Sequence, residues 1–233
     1  SSDGSTGPSD WGGGIVVDST AKLIMNDGSA VTGCSAEQGG GIYLSGEMEL
    51  NGGTLSGNTA VGDTYYGSTR SAHGGAILIR ANRADYDEHY DVPAKLTMTG
   101  GNIQNNKAAS DLSAFGGAVA ILGTPKNTAD LTNEFIMTGG TISGNTAGYG
   151  GAISAYAADN YWNGNASVKI SGNAVITQNI GRNGGGAIAL WTSKADDYTS
   201  TVEMSGGTIS KNETFSKGGG VFLFGKGDSF YMT

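Results

Sequence analysis

One short motif recurs along this chain and constrains its fold more than any other feature. It is Gly-Gly, then Gly or Ala, then an aliphatic residue. Two further blocks follow in a fixed order: an apolar-x-apolar segment, whose second position holds five of the six methionines, and Gly-Gly-Thr-Ile-Ser-x-Asn or a close variant. Self-similarity at such a period is typical of a solenoid or another repeat architecture. The aliphatic residues that close the first motif are Ile15, Ile42, Ile77, Val119, Ile153, Ile188 and Val221.

Each repeat contains three short segments in which apolar and polar residues alternate, and no segment has a helical period. Three short strands per repeat, stacked repeat upon repeat, predict an all-β fold: a parallel β-helix of about seven coils. We expect it to be right-handed, because parallel crossovers are nearly always right-handed. A propeller is disfavoured, since its blades have four strands and carry other signals.

Stacking the repeats turns each inward position into a column of like residues, with neighbouring members roughly 4.8 Å apart. We expect the aliphatic residues to form apolar ladders, and the asparagines of the third block to form a buried ladder at one corner, bonded to each other and to the turn backbone. Cys34 occupies the asparagine position of the first repeat, which favours a small packed residue over a reactive thiol. The predicted ladder consists of Asn58, Asn106, Asn145, Asn179 and Asn212.

Composition excludes several classes of protein. The chain has 42 glycines but only 3 prolines, and its glycines lack the every-third spacing of collagen. The net charge is −8 and no basic run occurs, which argues against a nucleic-acid partner. No apolar stretch approaches the ~20 residues of a membrane span, so we expect no direct membrane insertion of this segment. A single cysteine allows no intrachain disulfide.

The repeats also set the expected domain organisation. We predict a linker or N-terminal cap over residues 1–11 and a single β-helix domain over residues 12–233, truncated within its last repeat. The Ser- and Gly-rich start and the end in mid-repeat predict that the chain is part of a longer polypeptide.

The alternation of the two motifs resembles the repeats of the chlamydial polymorphic outer-membrane proteins, and also the Gly-rich repeats of large surface proteins in other bacteria. The GGA(I/L/V) motif of those families is intact at Gly74–Ile77, Gly150–Ile153 and Gly185–Ile188, with a Val variant at Gly116–Val119. Their FxxN motif appears here with Ile or Leu in place of Phe. The resemblance implies a secreted or surface-displayed passenger, often adhesive.

Length varies at two corners of the repeat, where insertions commonly carry function. Insertions over 80–94, 123–134, 157–167 and 192–201 follow the first strand, and insertions over 59–73 and 107–115 follow the asparagine. Aromatic residues at the end of the first strand, together with aromatic and acidic residues in the adjoining insertions, form either a sugar-binding platform or a ring ladder that stabilises the fold. The candidate ligand-binding residues are Tyr156, Asp159, Tyr161, Trp162, Trp191, Asp196, Asp197, Tyr198 and Phe224.

A second candidate site is the acidic insertion that contains Asp85, Asp87 and Asp91. These carboxylates suit Ca²⁺, although the spacing matches no standard calcium loop and a solvated acidic loop is the simpler interpretation. No other cofactor is expected.

Several parallel β-helices cleave polysaccharides, so an enzyme has to be considered. Such chemistry needs facing carboxylates, or a base beside bound calcium. Asp196-Asp197 is the only Asp-Asp pair, and the two histidines, His73 and His89, fall in insertions where turn packing or exposure is the expected role.

We therefore predict a non-catalytic bacterial cell-surface adhesin segment that engages a glycan or a host protein through the insertions. The alternatives are a carbohydrate-active β-helix, resembling a polysaccharide lyase or a glycosidase, and a purely structural stalk.

Overall fold

The computed structural model describes residues 11–62, 64–65, 68–69, 71–81, 92–110, 113–123, 132–157, 165–192 and 198–233. In these ranges the chain is all-β, and every strand pair but one is parallel. Three long sheets run the length of the molecule and a shorter fourth sheet fills one corner. The predicted parallel β-helix is confirmed.

The first sheet has seven strands, all in register. Its strands are Ile15–Val17, Ile42–Leu44, Ile77–Ile79, Val119–Leu122, Ile153–Ala157, Ile188–Thr192 and Val221–Leu223. The second sheet also has seven. They are Lys22–Met25, Glu47–Leu50, Lys95–Met98, Thr132–Met137, Asn165–Ile170, Ser200–Met204 and Asp228–Met232.

The third sheet has six strands. They are Ala30–Thr32, Thr54–Ser56, Asn102–Gln104, Thr141–Ser143, Val175–Thr177 and Thr208–Ser210. The fourth sheet is built from Ser35–Ala36, Thr59–Ala60, Ala72–His73, Lys107–Ala108, Ala114–Phe115, Thr146–Tyr149 and Ile180–Gly184. The antiparallel pair is Thr64–Tyr65 with Ser68–Thr69.

The core lies between the sheets and consists of the predicted ladders. Ile77 pairs in register with Ile42 on one side and Val119 on the other, and all three side chains are fully buried. The methionine column behaves in the same way, since Met98 pairs with Met137 and both are fully buried. Because like residues are stacked in register, each coil buries its apolar side chains against those of the neighbouring coils.

Both glycines of a Gly-Gly pair are required by geometry, as the pair Gly116-Gly117 shows. Gly116 has φ +64°, a left-handed conformation that other residues adopt only at a cost. A Cβ on Gly117 would collide with the carbonyl oxygen of Gly151 in the next coil. The first glycine therefore makes the corner and the second allows close approach of the coils.

The asparagine ladder is present, and Asn106 shows its bonding pattern. The backbone N and the Nδ2 of Asn106 both donate to Oδ1 of Asn145, at 2.9 Å each. Nδ2 also donates to the carbonyl oxygens of Leu55 at 3.1 Å and Gln104 at 3.0 Å. The same donor and acceptor roles repeat along the ladder, so buried amides satisfy each other from coil to coil.

Cys34 begins this ladder. Its backbone N donates to Oδ1 of Asn58 at 3.0 Å, as the asparagines do along the rest of the ladder. Its Sγ lies 3.5 Å from the carbonyl oxygen of Thr32, the position that an asparagine amide occupies in later coils. The thiol is half-buried and takes the place of an amide.

The fourth sheet is a feature that the repeat pattern does not predict. Its short strands lie between the asparagine ladder and the Gly-Gly pairs and bury a separate row of small side chains. Two insertions interrupt it, so that Lys107–Ala108 and Ala114–Phe115 pair with the two ends of one continuous strand, Thr146–Tyr149. The buried row is Ala60, Ala72, Ala108, Ala114 and Ala147.

Candidate functional site

Three of the predicted ligand-binding aromatic residues lie next to one another on the outside of the first sheet. Tyr156 and Trp191 are partners in register on adjacent strands. The backbone N of Phe224 donates to the carbonyl oxygen of Leu190, which places Phe224 beside Trp191 in the last coil. The rings of Trp191 and Phe224 are stacked, with centroids 4.1 Å apart and an interplanar angle of 25°. The neighbouring residues Ala155 and Leu190 point to the core, so these rings lie on the opposite face of the sheet.

A second row of rings comes from the residues that precede the Gly-Gly pairs of three successive coils. His73 stacks on Phe115 with a centroid distance of 5.3 Å, and Phe115 stacks on Tyr149 at 5.4 Å. The next coil has Gly184 at this position, and a Cβ there would collide with the ring of Phe222. Phe222 therefore continues the row from the first sheet, parallel to Tyr149 within 19°.

The two rows meet across the concave corner at the Gly-Gly turns. The centroids of Phe115 and Tyr156 are 4.6 Å apart, and those of Tyr149 and Trp191 are 4.8 Å apart. Such tilted and edge-on contacts are favourable for aromatic pairs. We call the combined surface the aromatic strip; it consists of His73, Phe115, Tyr149, Tyr156, Trp191, Phe222 and Phe224.

The rings of the aromatic strip differ in exposure. Phe115 is buried, Tyr156 and Trp191 are half-buried, and Phe224 is 54% exposed in the last coil, where the inward residue Leu223 is exposed as well. Beneath the strip the outer face of the first sheet carries small or aliphatic side chains, among them Ala120 and Ala189, which are fully buried. The strip therefore covers one face of the solenoid, and Tyr156 and Trp191 keep part of their surface accessible to solvent.

Stacking decides what these rings can bind. A ring stacked on one neighbour keeps its second face and part of its edge, and Trp191 gives one face to Phe224. Tyr156 and Trp191 are the half-buried rings that lie before the last coil. The strip packs against the fold over most of its length and can contact a ligand at these two rings.

His73 is a packed member of the aromatic strip. Its Nδ1 lies 2.9 Å from Oε1 of Gln38, so the neutral ring donates there. Burial of the ring, with a smaller contribution from the positive charge of Arg80, lowers the pKa of His73 to about 3. His73 is thus neutral at ordinary pH, in keeping with the turn-packing role expected from the sequence.

The remaining predicted site residues divide into two groups. Tyr198 is half-buried and precedes the second-sheet strand Ser200–Met204, and it takes part in none of the ring contacts described for the strip. The others lie outside the described residues: Asp159, Tyr161, Trp162, Asp196 and Asp197 of the ligand set, and Asp85, Asp87 and Asp91 of the calcium set.

Sequence reasoning missed Phe115, Tyr149 and Phe222. A signal was available for the first two, because each immediately precedes a Gly-Gly pair, as His73 does. Phe222 carries no such signal, since it substitutes for a side chain that Gly184 lacks.

Among the described ranges, no group of three or more His, Cys, Asp or Glu side chains comes together as a metal site would require. Nor does this part of the chain contain a helix long and apolar enough to cross a membrane. Comparison with protein-family models, curated proteins and solved structures gives no match.

Proposed function

We propose that this β-helix is a non-catalytic binding segment of a bacterial surface protein, secreted or displayed on the cell, that holds a glycan at the corner between its first and second sheets. The observation that carries the proposal is Trp191, which lies half-buried beside Tyr156 at the end of the first sheet, next to this corner. The C–H face of a sugar ring packs well on the face of such an aromatic ring. The resemblance of the repeats to bacterial surface proteins supports the location.

The proposal is tested by titrating glycan oligomers into the protein and into Trp191→Ala. We expect the substitution to weaken binding about tenfold or more, the usual effect of truncating a central aromatic contact. Trp11→Ala is the matched control, because Trp11 is a 51% exposed tryptophan that stacks on Tyr43 at the first coils of the solenoid. Equal affinities for Trp191→Ala and Trp11→Ala would contradict the proposal.

A structural stalk is the second candidate, and the ring stacking favours it. Aromatic rings that stack on each other stabilise the fold whether or not a ligand is bound. In that case Trp191→Ala lowers the melting temperature, and no oligomer or host protein binds the unaltered chain. Measuring melting temperature and binding on the same variant separates the two functions.

A further inference from the structure

A shallow, open hollow of about 250 Å³ lies on the outer face of the second sheet. It spans three successive strands, Thr132–Met137, Asn165–Ile170 and Ser200–Met204. Ser167 lies at its centre, in register with Glu134 in one neighbouring coil and Thr201 in the other. A small residue among longer ones explains why the sheet surface is concave here.

The polar groups around Ser167 are not all used by the fold. Lys169 pairs with Glu134 at 3.1 Å, and Lys95 pairs with the same carboxylate at 3.5 Å. Glu203 is the register partner of Lys169, yet within the described ranges it forms no ion pair. Its carboxylate therefore faces the hollow with its acceptor capacity available.

The chemistry of the lining selects the ligand. Hydroxyls, an amide, carboxylates and an ammonium lie together, and a ligand with many hydroxyls matches such a mixed set of donors and acceptors. Two carboxylates are balanced by the ammonium groups of Lys169 and Lys95, so a strongly charged ligand gains little. The volume lies just below the ~300 Å³ lower limit of small-molecule pockets, which suits one ring rather than several.

Position links this hollow to the aromatic strip. The first-sheet strands that carry Tyr156 and Trp191 end at Ala157 and Thr192, and the next strands of the hollow begin at Asn165 and Ser200. The side of the strip that holds these two rings and the hollow thus flank the same corner of the solenoid.

We infer that the hollow is a subsite for one neutral sugar ring of the glycan that the aromatic strip holds, with Glu203 as its principal hydrogen-bond acceptor and Ser167 as its floor. This inference rests on the proposed function. The glycan crosses the insertion-bearing corner and contacts the rings on one side and the hollow on the other.

The test uses the full chain and defined oligomers: the β-1,4-linked hexamers of glucose, mannose, xylose and N-acetylglucosamine, with a galacturonic acid hexamer as the acidic probe. Ser167→Leu fills the hollow and Glu203→Gln removes the charge of the acceptor. We expect Ser167→Leu to weaken binding of the best neutral hexamer about tenfold or more, and Glu203→Gln several-fold, because hydrogen bonds to a charged acceptor are the stronger ones.

Matched controls come from the same sheet face outside the hollow. Thr97→Leu introduces the same leucine side chain one coil before the hollow, and Glu49→Gln removes a carboxylate in the same outward column as Glu203, where it pairs with Lys22. Both should bind like the unaltered protein. Glu203 lies on the surface, so the Glu203→Gln variant is expected to fold. The test therefore remains decisive even if Ser167→Leu fails to fold.

The outcomes are distinct. Loss of binding in Trp191→Ala but not in Ser167→Leu or Glu203→Gln overturns the subsite and leaves the proposed function standing. Tighter binding of the galacturonic acid hexamer than of any neutral hexamer overturns the neutral class. If no oligomer binds the unaltered chain, the proposed function fails and the subsite fails with it.

Discussion

The asparagine ladder allows a stability effect to be worked out bond by bond, and Asn145→Ala is the most informative change. Asn145 Oδ1 accepts from the backbone N and the Nδ2 of Asn106 at 2.9 Å each. Its Nδ2 donates to the carbonyl oxygens of Ile103 and Ser143 at 3.0 Å each and to Oδ1 of Asn179 at 2.9 Å. Alanine removes all of these bonds, and the buried backbone N of Asn106 is left without its acceptor.

The cost follows from that inventory. A buried donor without a partner costs about 1–3 kcal/mol, and each further lost bond costs about 0.5–1.5 kcal/mol. Since the contributions are coupled and not additive, we expect a destabilisation on the order of 3–6 kcal/mol, a large part of the total stability of a typical domain. Local opening near the fourth coil is expected before global unfolding, because each coil contacts only its neighbours.

The assay is chemical denaturation followed by circular dichroism, with amide hydrogen exchange of Asn106 as the local readout. Asn102→Ala is the matched control, because Asn102 is an exposed asparagine on the outer face of the third sheet. It should change stability by less than about 0.5 kcal/mol. If Asn145→Ala costs no more than Asn102→Ala, the ladder does not stabilise the fold in the way argued above.

Two further predictions concern the first coil of the ladder and the aromatic strip. Cys34→Asn should raise the free energy of unfolding by about 0.5–1.5 kcal/mol relative to Cys34→Ala, because an amide completes the ladder to Asn58 and Gly14 leaves room beside it. Chemical denaturation of the two variants measures this difference. An equal or lower stability of Cys34→Asn would count against the prediction. His73 should make folding acid-sensitive. Its pKa is about 3 in the folded chain against 6.5 ordinarily, so below pH 6.5 the unfolded chain binds a proton that the folded chain does not. Stability is complete above that pH and falls by up to about 1.4 kcal/mol per pH unit as the pH drops towards 3. His73→Phe should flatten this part of the stability–pH profile, and an unchanged slope would show that the histidine is not the cause.

The inward columns could be predicted because equivalent inward positions of stacked coils occupy the same buried environment. Met98 and Met137 repeat because both fill the same space between the sheets, and a ladder asparagine such as Asn145 repeats because its bonds run to the coil on either side. The fourth sheet could not be predicted by this logic. Its strands have as few as two residues, and its buried row is alanine, which has little preference for strands.

The left-handed corner before the ladder is another feature without a sequence signal. Glycine holds this position in three coils, but Asn105, Gln178 and Lys211 also have φ between 53° and 57°. A non-glycine residue in that conformation costs roughly 1–2 kcal/mol. The ladder bonds of the following asparagine fix the backbone there, so the tertiary contact overrides the local preference.

The outer surface is predictable only in part, because its contacts cross a concave corner rather than run along a column. Parity alone places Tyr156 and Trp191 outside, but their contacts with Phe115 and Tyr149 depend on the angle at which the Gly-Gly turn joins two sheets. That angle brings together residues from different blocks of the repeat. Outward side chains do not have to pack against like residues of the neighbouring coils, as inward side chains do. Outward positions therefore vary from coil to coil. The proposed glycan specificity therefore depends on the outward positions beside the insertions, where Trp191 and the hollow around Ser167 lie on either side of the same corner.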